Sequence, residues 1–130
     1  MKSILFVCVG NACRSQMSEG FARAMGPKDL VVYSAGSHPA GFVAREAIVA
    51  MQGKGIDISE HYSKGLSEIP AISFDYLITM GCGDACPLIP AKHRLDWKIP
   101  DPIGRGREYF NQVRDDLERR IRELIESPTF

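Results

Sequence analysis

The stretch that decides the fold runs from Cys8 to Ser15 and reads Cys-Val-Gly-Asn-Ala-Cys-Arg-Ser. An apolar run, Ile4-Leu5-Phe6-Val7, precedes it, and a helical pattern follows it. The stretch is therefore predicted to be the loop between a buried strand and a helix that begins near Ser15. Because the unpaired N–H groups of a helix start attract anions, such a loop is typical of a site for a phosphate-like oxyanion.

Side chains of this loop add the chemistry of a nucleophile. Cys8 stands where the positive end of a helix favours the thiolate, which is the attacking form of cysteine. Arg14 carries a forked guanidinium that can donate to two oxygens of one oxyanion. Ser15 can hydrogen-bond the Cys8 sulfur, cap the helix, or do both. The residues predicted to bind the oxyanion are Val9, Gly10, Asn11, Ala12, Cys13 and Arg14.

Composition limits the remaining possibilities. The chain has 130 residues, 45% of them hydrophobic, and a formal net charge of zero. We expect one domain over residues 1–130 with a real core. No basic stripe indicates nucleic acid or an anionic membrane surface, and no apolar run approaches the length of a membrane span. We expect a cytoplasmic protein, in which four cysteines are typical of reactive or metal-binding groups rather than of structural disulfides.

Strand and helix patterns alternate along the chain. Strands are predicted over residues 3–9, 30–34 and 76–80, with a short fourth strand within 93–99; helices are predicted over 15–25, 43–51 and the C-terminal segment. This alternation predicts an α/β fold with a parallel sheet covered on both faces. Ligands of such sheets bind beyond the carboxyl ends of the strands. The loop after Cys8 and the loop over 81–90 both follow strand ends, so they could share one mouth.

A proton donor is predicted at Asp101. It lies in Ile99-Pro100-Asp101-Pro102, a segment that two prolines stiffen. A carboxylic acid in an apolar mouth that faces a bound anion could donate a proton to the leaving oxygen. The alternative is an ordinary turn aspartate before a proline.

Two further cysteines, Cys82 and Cys86, lie in Gly-Cys-Gly-Asp-Ala-Cys-Pro over residues 81–87. In a mobile loop they could reach disulfide distance, and beside Cys8 they could attack and resolve a product bound to its sulfur. One alternative is a pair of incidental cysteines. Another is zinc, held by these two together with Cys8 and Cys13, but zinc would leave Arg14 and Asp101 without a role.

At this point the residues resemble a known family. The Cys8–Ser15 loop with Gln-Met-Ser-Glu-Gly after it, Tyr-Ser-Ala-Gly over 33–36, the segment 78–90 and Asp101-Pro102 follow one another in order. Together they resemble the low-molecular-weight protein tyrosine phosphatase superfamily, and within it the arsenate reductase branch. The resemblance covers essentially the whole chain. It implies a three-layer α/β/α fold with a four-stranded parallel sheet.

The resemblance also implies residue roles. Cys8 would attack arsenate to give a thiol–arsenate adduct, with Arg14 binding the oxyanion, Asn11 and Ser15 organising the loop, and Asp101 as general acid. Cys82 would then expel arsenite by forming a disulfide with Cys8, and Cys86 would shift that disulfide to Cys82–Cys86. An external thiol would reduce it, with no tightly bound cofactor. Family members can bind potassium near the loop, which here would involve Asn11, Glu19 and Ser34.

Two departures keep alternatives open. Thioredoxin-coupled reductases have a wider gap between their last two cysteines, and the form seen here resembles a group in which some members use a low-molecular-weight thiol with a glutaredoxin-like partner. Either reductant is therefore expected. Phosphotyrosine phosphatases usually carry aromatic residues after Asp-Pro, whereas this chain has Ile-Gly-Arg over 103–105. The alternative functions are hydrolysis of phosphate monoesters through a phosphocysteine, and a non-catalytic anion- or metal-binding module.

Overall fold

The computed structural model describes residues 2–81 and 89–130, and its centre is a parallel sheet of four strands. The strands are β1 (Ser3–Cys8), β2 (Val31–Gly36), β3 (Phe74–Thr79) and β4 (Ala91–Asp96), in the spatial order β2-β1-β3-β4. The helices are α1 (Arg14–Met25), α2 (Arg45–Gln52) and α3 (Arg107–Glu126), and a 3-10 helix spans Leu66–Glu68. The predicted α/β fold with a four-stranded parallel sheet is confirmed.

The central strand β1 is buried on both of its faces. Ile4 and Phe6 belong to the larger apolar cluster, and Leu5 and Val7 belong to the smaller one on the opposite face. All four side chains are at most 1% exposed. A strand that is covered on both sides reads as a continuous apolar run, which is why the sequence shows no alternation here.

The two faces of the sheet are covered to different extents. On the larger side α1, α2 and α3 pack against one another over the main core. Helix α3 contributes a stripe with helical spacing, made of Phe110, Val113, Leu117 and Ile121. The other face holds a smaller cluster, which Leu66 and Ile69 at the 3-10 helix help to cover. The three layers are therefore unequal, because the three α-helices lie on one face of the sheet and the 3-10 helix lies on the other.

The edge strand β4 lies earlier than predicted, over Ala91–Asp96 rather than within residues 93–99. Its pairing with β3 ends at the pair Thr79 and Asp96, after which the chain continues through Trp97 towards Pro100. Lys92, His93 and Arg94 form a continuous exposed polar run in this edge strand, so an apolar pattern marks its boundaries poorly. Within residues 2–81 and 89–130, every helix is too short or too polar to cross a membrane.

Packing of α1 on the core is expected to carry much of the stability. Phe21 is fully buried, whereas Phe42 is 61% exposed. Phe21→Ala should lower the free energy of unfolding by about 3–5 kcal/mol, since it removes a buried ring and leaves a cavity. The matched control Phe42→Ala should change it by no more than about 0.5 kcal/mol. Chemical denaturation measures both, and similar losses in the two variants would contradict this assignment of the core.

Candidate active site

The strand order brings the predicted loops to one edge of the sheet. Cys8, the last residue of β1, pairs with Gly36 at the end of β2, and Val7 pairs with Thr79 at the end of β3. Gly81 follows β3 and lies so close to Arg14 that a Cβ on it would stand 2.6 Å from the guanidinium Nη1. The second loop therefore starts at the arginine of the first. Cys82 and Cys86 themselves lie outside the described residues.

The backbone of the Cys8 loop turns its carbonyl groups outwards. These carbonyls accept amide hydrogen bonds at 2.8–3.2 Å: Cys8 from Ser37, Val9 from His38, Gly10 from Ala40 and Ala12 from Ala44. For the N–H groups of residues 10–13, the described part of the chain offers no acceptor. A loop whose carbonyls are all held outside turns its amides towards its own centre. Such a ring of inward N–H groups is a concave receptor for an anion.

Asn11 fixes the shape of this loop. Its backbone has φ 48°, in the left-handed region that asparagine tolerates better than most residues. Its side-chain Nδ2 donates to Ser15 Oγ at 2.7 Å and to Ser34 Oγ at 3.1 Å. Its Oδ1 accepts from Gln16 Nε2 at 2.8 Å and from the Lys64 backbone amide at 2.9 Å. All four hydrogen-bonding positions of a fully buried amide are thus used.

The Cys8 sulfur lies 2.9 Å from Ser15 Oγ. Because Ser15 already accepts the hydrogen bond from Asn11, its own proton is available to the sulfur. Ser15 is not the helix cap that the sequence offered as an alternative: α1 begins at Arg14, Cys13 is its N-cap residue, and Ser15 lies inside the first turn.

Arg14 is held at the mouth of the loop and is only 6% exposed. Its Nη1 donates to the carbonyl of Ile99 at 3.0 Å, which fixes the plane of the guanidinium. Its Nε is buried and has no acceptor among the described residues. A buried guanidinium N–H without a partner is costly, so this group is suited to meet an incoming oxyanion.

Asp101 reaches the loop from the far side of the mouth. Its Oδ1 lies 3.7 Å from Cys13 Sγ and accepts the Ile103 amide at 3.1 Å. Its side chain is exposed, so the described residues do not enclose it in the apolar mouth that the sequence suggested. The carboxyl thus stands at the rim, where a leaving group would emerge from the loop.

The second cysteine of the loop has a different environment. Burial, followed by the charges of Cys8 and Asp101, raises the pKa of the Cys13 thiol to about 12. Cys13 is therefore a neutral thiol at neutral pH and not the nucleophile. In the described ranges 2–81 and 89–130, no group of three or more His, Cys, Asp or Glu side chains is placed to hold a metal ion.

The three residues predicted to bind potassium do lie together. Ser34 Oγ donates to Glu19 Oε1 at 2.5 Å and accepts from Asn11. Lys64 occupies the adjoining position, with Nζ 3.4 Å from Ser34 Oγ and 3.8 Å from Glu19 Oε1. Since an ammonium already stands against two of the three predicted ligands, the residues present do not fit a potassium ion.

Sequence reasoning missed three residues of this site. Gln16 is fully buried and its Nε2 also donates to the carbonyls of Asn11 and Tyr62, which ties the loop to the segment around residue 62. Gly36 leaves no room for a side chain, because a Cβ would stand 2.6 Å from the carbonyl oxygen of Val9. A polar residue in the first turn of a buried helix was a usable signal for Gln16. Lys64, far along the chain, gave none.

A comparison with known protein families identifies the family of this chain. The model of the low molecular weight phosphotyrosine protein phosphatase family matches residues 3–128. The chain belongs to that family.

Within this family, similar proteins carry the name arsenate reductase. The chain is 39% identical over 130 residues to arsenate reductase 1 of Staphylococcus haemolyticus, covering 97% of this chain and 96% of that protein. It is 38% identical over 128 residues to the glutaredoxin arsenate reductase of Synechocystis, covering 96% and 97%. A solved structure described as an arsenate reductase in the phosphate binding state is 38% identical, covers 96% and 97%, and superimposes with a TM-score of 0.86.

The two loop cysteines are expected to differ in reactivity. In a Cys82→Ser, Cys86→Ser protein, iodoacetamide at neutral pH should label Cys8 and leave Cys13 unlabelled, because the Cys13 thiol ionises only near its pKa of about 12. Phosphate should slow the labelling of Cys8 by filling the loop. Peptide mapping by mass spectrometry measures both sites. Labelling of Cys13 as fast as that of Cys8 would contradict the assignment of the nucleophile.

Proposed function

We propose that this chain reduces arsenate to arsenite, with Cys8 as the nucleophile. The observation that carries the proposal is the Cys8 loop: a thiol that a hydroxyl faces at 2.9 Å, amides turned inwards, and a buried arginine N–H without a described partner. Arsenate and phosphate are tetrahedral oxyanions of similar shape, so one loop accepts both. The names of the relatives favour arsenate as the substrate.

The first step uses described residues only. The Cys8 thiolate attacks arsenic, one As–O bond breaks, and Asp101 gives the leaving oxygen a proton, so that water leaves and a thiol–arsenate adduct remains. Arg14 and the inward amides neutralise the charge on the other oxygens. Ser15 holds the sulfur on the line of attack. Each of these polar groups around the oxyanion thus has a role in the first step.

The later steps follow from Cys82 and Cys86. The Cys82 thiolate attacks the Cys8 sulfur, an S–S bond forms, and the S–As electron pair leaves with arsenic as arsenite. Cys86 then attacks Cys82, which releases Cys8 and leaves a Cys82–Cys86 disulfide. The support for this relay is that the chain enters the second loop at Gly81, in contact distance of Arg14. An external thiol system supplies the two electrons that restore the dithiol.

Hydrolysis of phosphate monoesters is the second candidate function. The same groups perform it: Cys8 attacks phosphorus, Asp101 protonates the leaving alcohol, and water cleaves the phosphocysteine. The family supports the chemistry, and the solved relative in its phosphate binding state supports occupancy of the loop. Ile103 and Gly104 follow Asp101-Pro102, at the positions where aromatic residues would be needed to hold the ring of phosphotyrosine. The expected substrates are therefore small aryl phosphates rather than phosphotyrosine proteins.

The external reductant and the cellular location of the protein belong to the same proposal. We infer that thioredoxin, or a low-molecular-weight thiol with a glutaredoxin-like partner, reduces the disulfide, and the glutaredoxin arsenate reductase among the relatives supports the second. The chain acts as one domain in the cytoplasm, where thiols such as the unbridged Cys8 and Cys13 stay reduced. Its partners are the oxyanion and the thiol reductant, with no role for nucleic acid or membrane.

The relay separates the two functions experimentally. Cys82→Ser and Cys86→Ser should each abolish arsenate-dependent NADPH oxidation, whether it is coupled through thioredoxin or through glutathione and glutaredoxin. The same proteins should keep their p-nitrophenyl phosphatase activity, because that reaction needs only the Cys8 loop and Asp101. Cys8→Ser should abolish both activities. Arsenate turnover that survives in Cys86→Ser would sink the three-cysteine relay.

The role of Asp101 as proton donor can be tested with substrates that differ in their leaving group. Asp101→Asn should lower hydrolysis of an alkyl phosphate by about 10²–10⁴-fold, the usual contribution of a general acid. It should lower hydrolysis of p-nitrophenyl phosphate less, since nitrophenolate leaves without a proton. Glu108→Gln, on the exposed start of α3, is the matched control and should change neither rate. Equal losses on both substrates would argue that Asp101 has a structural role instead.

A further inference from the structure

The carboxylate of Glu19 is a buried charge behind the Cys8 loop, and it is 5% exposed. Its Oε1 accepts from Ser34 at 2.5 Å and its Oε2 accepts from Arg23 at 2.9 Å. The Arg23 side chain is 54% exposed, so water screens much of that pairing. A buried carboxylate of this kind needs a second cation on its inner side.

Lys64 supplies that cation. Its side chain is 11% exposed, and Nζ lies 3.8 Å from Glu19 Oε1, 3.4 Å from Ser34 Oγ and 3.2 Å from the Tyr62 carbonyl. The ammonium also lies 4.7 Å from the centre of the Tyr62 ring. Three oxygens therefore lie within 3.8 Å of the ammonium nitrogen, as they would around a bound monovalent cation.

A chain of hydrogen bonds connects this charge to the nucleophile. Ser34 uses its only proton on Glu19, so it must accept from Asn11; Asn11 then donates to Ser15, and the Ser15 proton is left for Cys8. Asn11 Oδ1 accepts from Gln16 and from the Lys64 amide, which orients the amide so that its Nδ2 donates to both serines.

We propose that Lys64 is a tethered replacement for a monovalent cation: it pairs with the Glu19 carboxylate and so positions the loop, and it makes the protein independent of potassium. Removal of its side chain should open a site for potassium or ammonium. The oxygens of Glu19, Ser34 and Tyr62 would remain, and carbonyl and carboxylate oxygens are ligands that potassium accepts. Lys64 is here a positioning residue, and the inference rests on the proposed anion-binding role of the Cys8 loop.

Two features make the replacement testable. The Lys64 backbone amide donates to Asn11 and its carbonyl accepts from Gly36, so both anchors survive any change of the side chain. A surface cavity of about 530 Å³, lined by Glu19, Tyr62 and Lys64 among others, gives an ion an entry path.

The experiment compares Lys64→Ala, Lys64→Met and Lys64→Arg in potassium, ammonium and tetramethylammonium chloride at equal ionic strength. Phosphate affinity is measured by calorimetry and the thiolate of Cys8 by its alkylation rate. Lys64→Ala should bind phosphate about tenfold more weakly in tetramethylammonium, the usual effect of losing a group that supports a site's ligands. Potassium or ammonium should restore its affinity and raise its Tm.

The other variants separate the effect of the charge of Lys64 from the effect of its side-chain volume. Lys64→Met fills the space without a charge, so it should lose affinity and gain nothing from potassium. Lys64→Arg keeps the charge and should bind phosphate like the unmodified protein. The control Lys54→Ala, which removes surface ion pairs to Asp115 and Glu118, should respond to no cation.

Three results would overturn the inference: Lys64→Met binding phosphate with unchanged affinity, Lys64→Ala showing no preference for potassium over tetramethylammonium, or the unmodified protein itself requiring potassium. None of these readouts uses arsenate turnover. A protein that binds phosphate but never reduces arsenate would refute the proposed function and leave the inference about Lys64 standing, so the two failures are distinguishable.

Discussion

The side chain of Asn11 connects three separate parts of the chain, and the shape of the anion loop depends on it. Its amide joins the first turn of α1 at Ser15, the end of β2 at Ser34 and the backbone of Lys64. Its backbone stands in the left-handed region, which reverses the chain and turns the neighbouring amides inwards. A buried amide with all four positions paired is stable only while each partner stays in place. The loop is therefore preorganised before any anion arrives.

The parallel sheet explains why these parts meet. Adjacent strands that run in the same direction end at the same edge, so residues far apart in sequence converge there: Cys8 from β1, Ser34 from β2 and Gly81 after β3. The core beneath is packed from both sides and cannot shift to relieve strain at the edge. Catalytic geometry at this edge is thus a consequence of strand order, with the rigid sheet as its support.

The sequence was sufficient for much of this picture because local signals carried it. The apolar run before Cys8, the helical spacing of α3 and the Cys-to-Arg interval are each visible within a short window. The sequence predicted edge strand β4 too far along the chain, because a strand with only one neighbouring strand carries a weak apolar pattern. The exposure of Asp101 and the N-cap position of Cys13 depend on how segments meet in space. Lys64 could not be found from the sequence, since its partners Glu19 and Ser34 lie 45 and 30 positions away and only the fold brings them together.

The central claim is that the chain itself carries the two electrons that convert arsenate to arsenite, beginning at Cys8. Mixing fully reduced protein with excess arsenate, without any added reductant, and measuring both arsenite and remaining thiols tests this most directly. The account predicts one arsenite per chain and the loss of two of the four cysteine thiols, with neither change in Cys8→Ser. All four thiols retained and no arsenite formed, in protein that still hydrolyses aryl phosphates, would contradict it and leave a phosphatase.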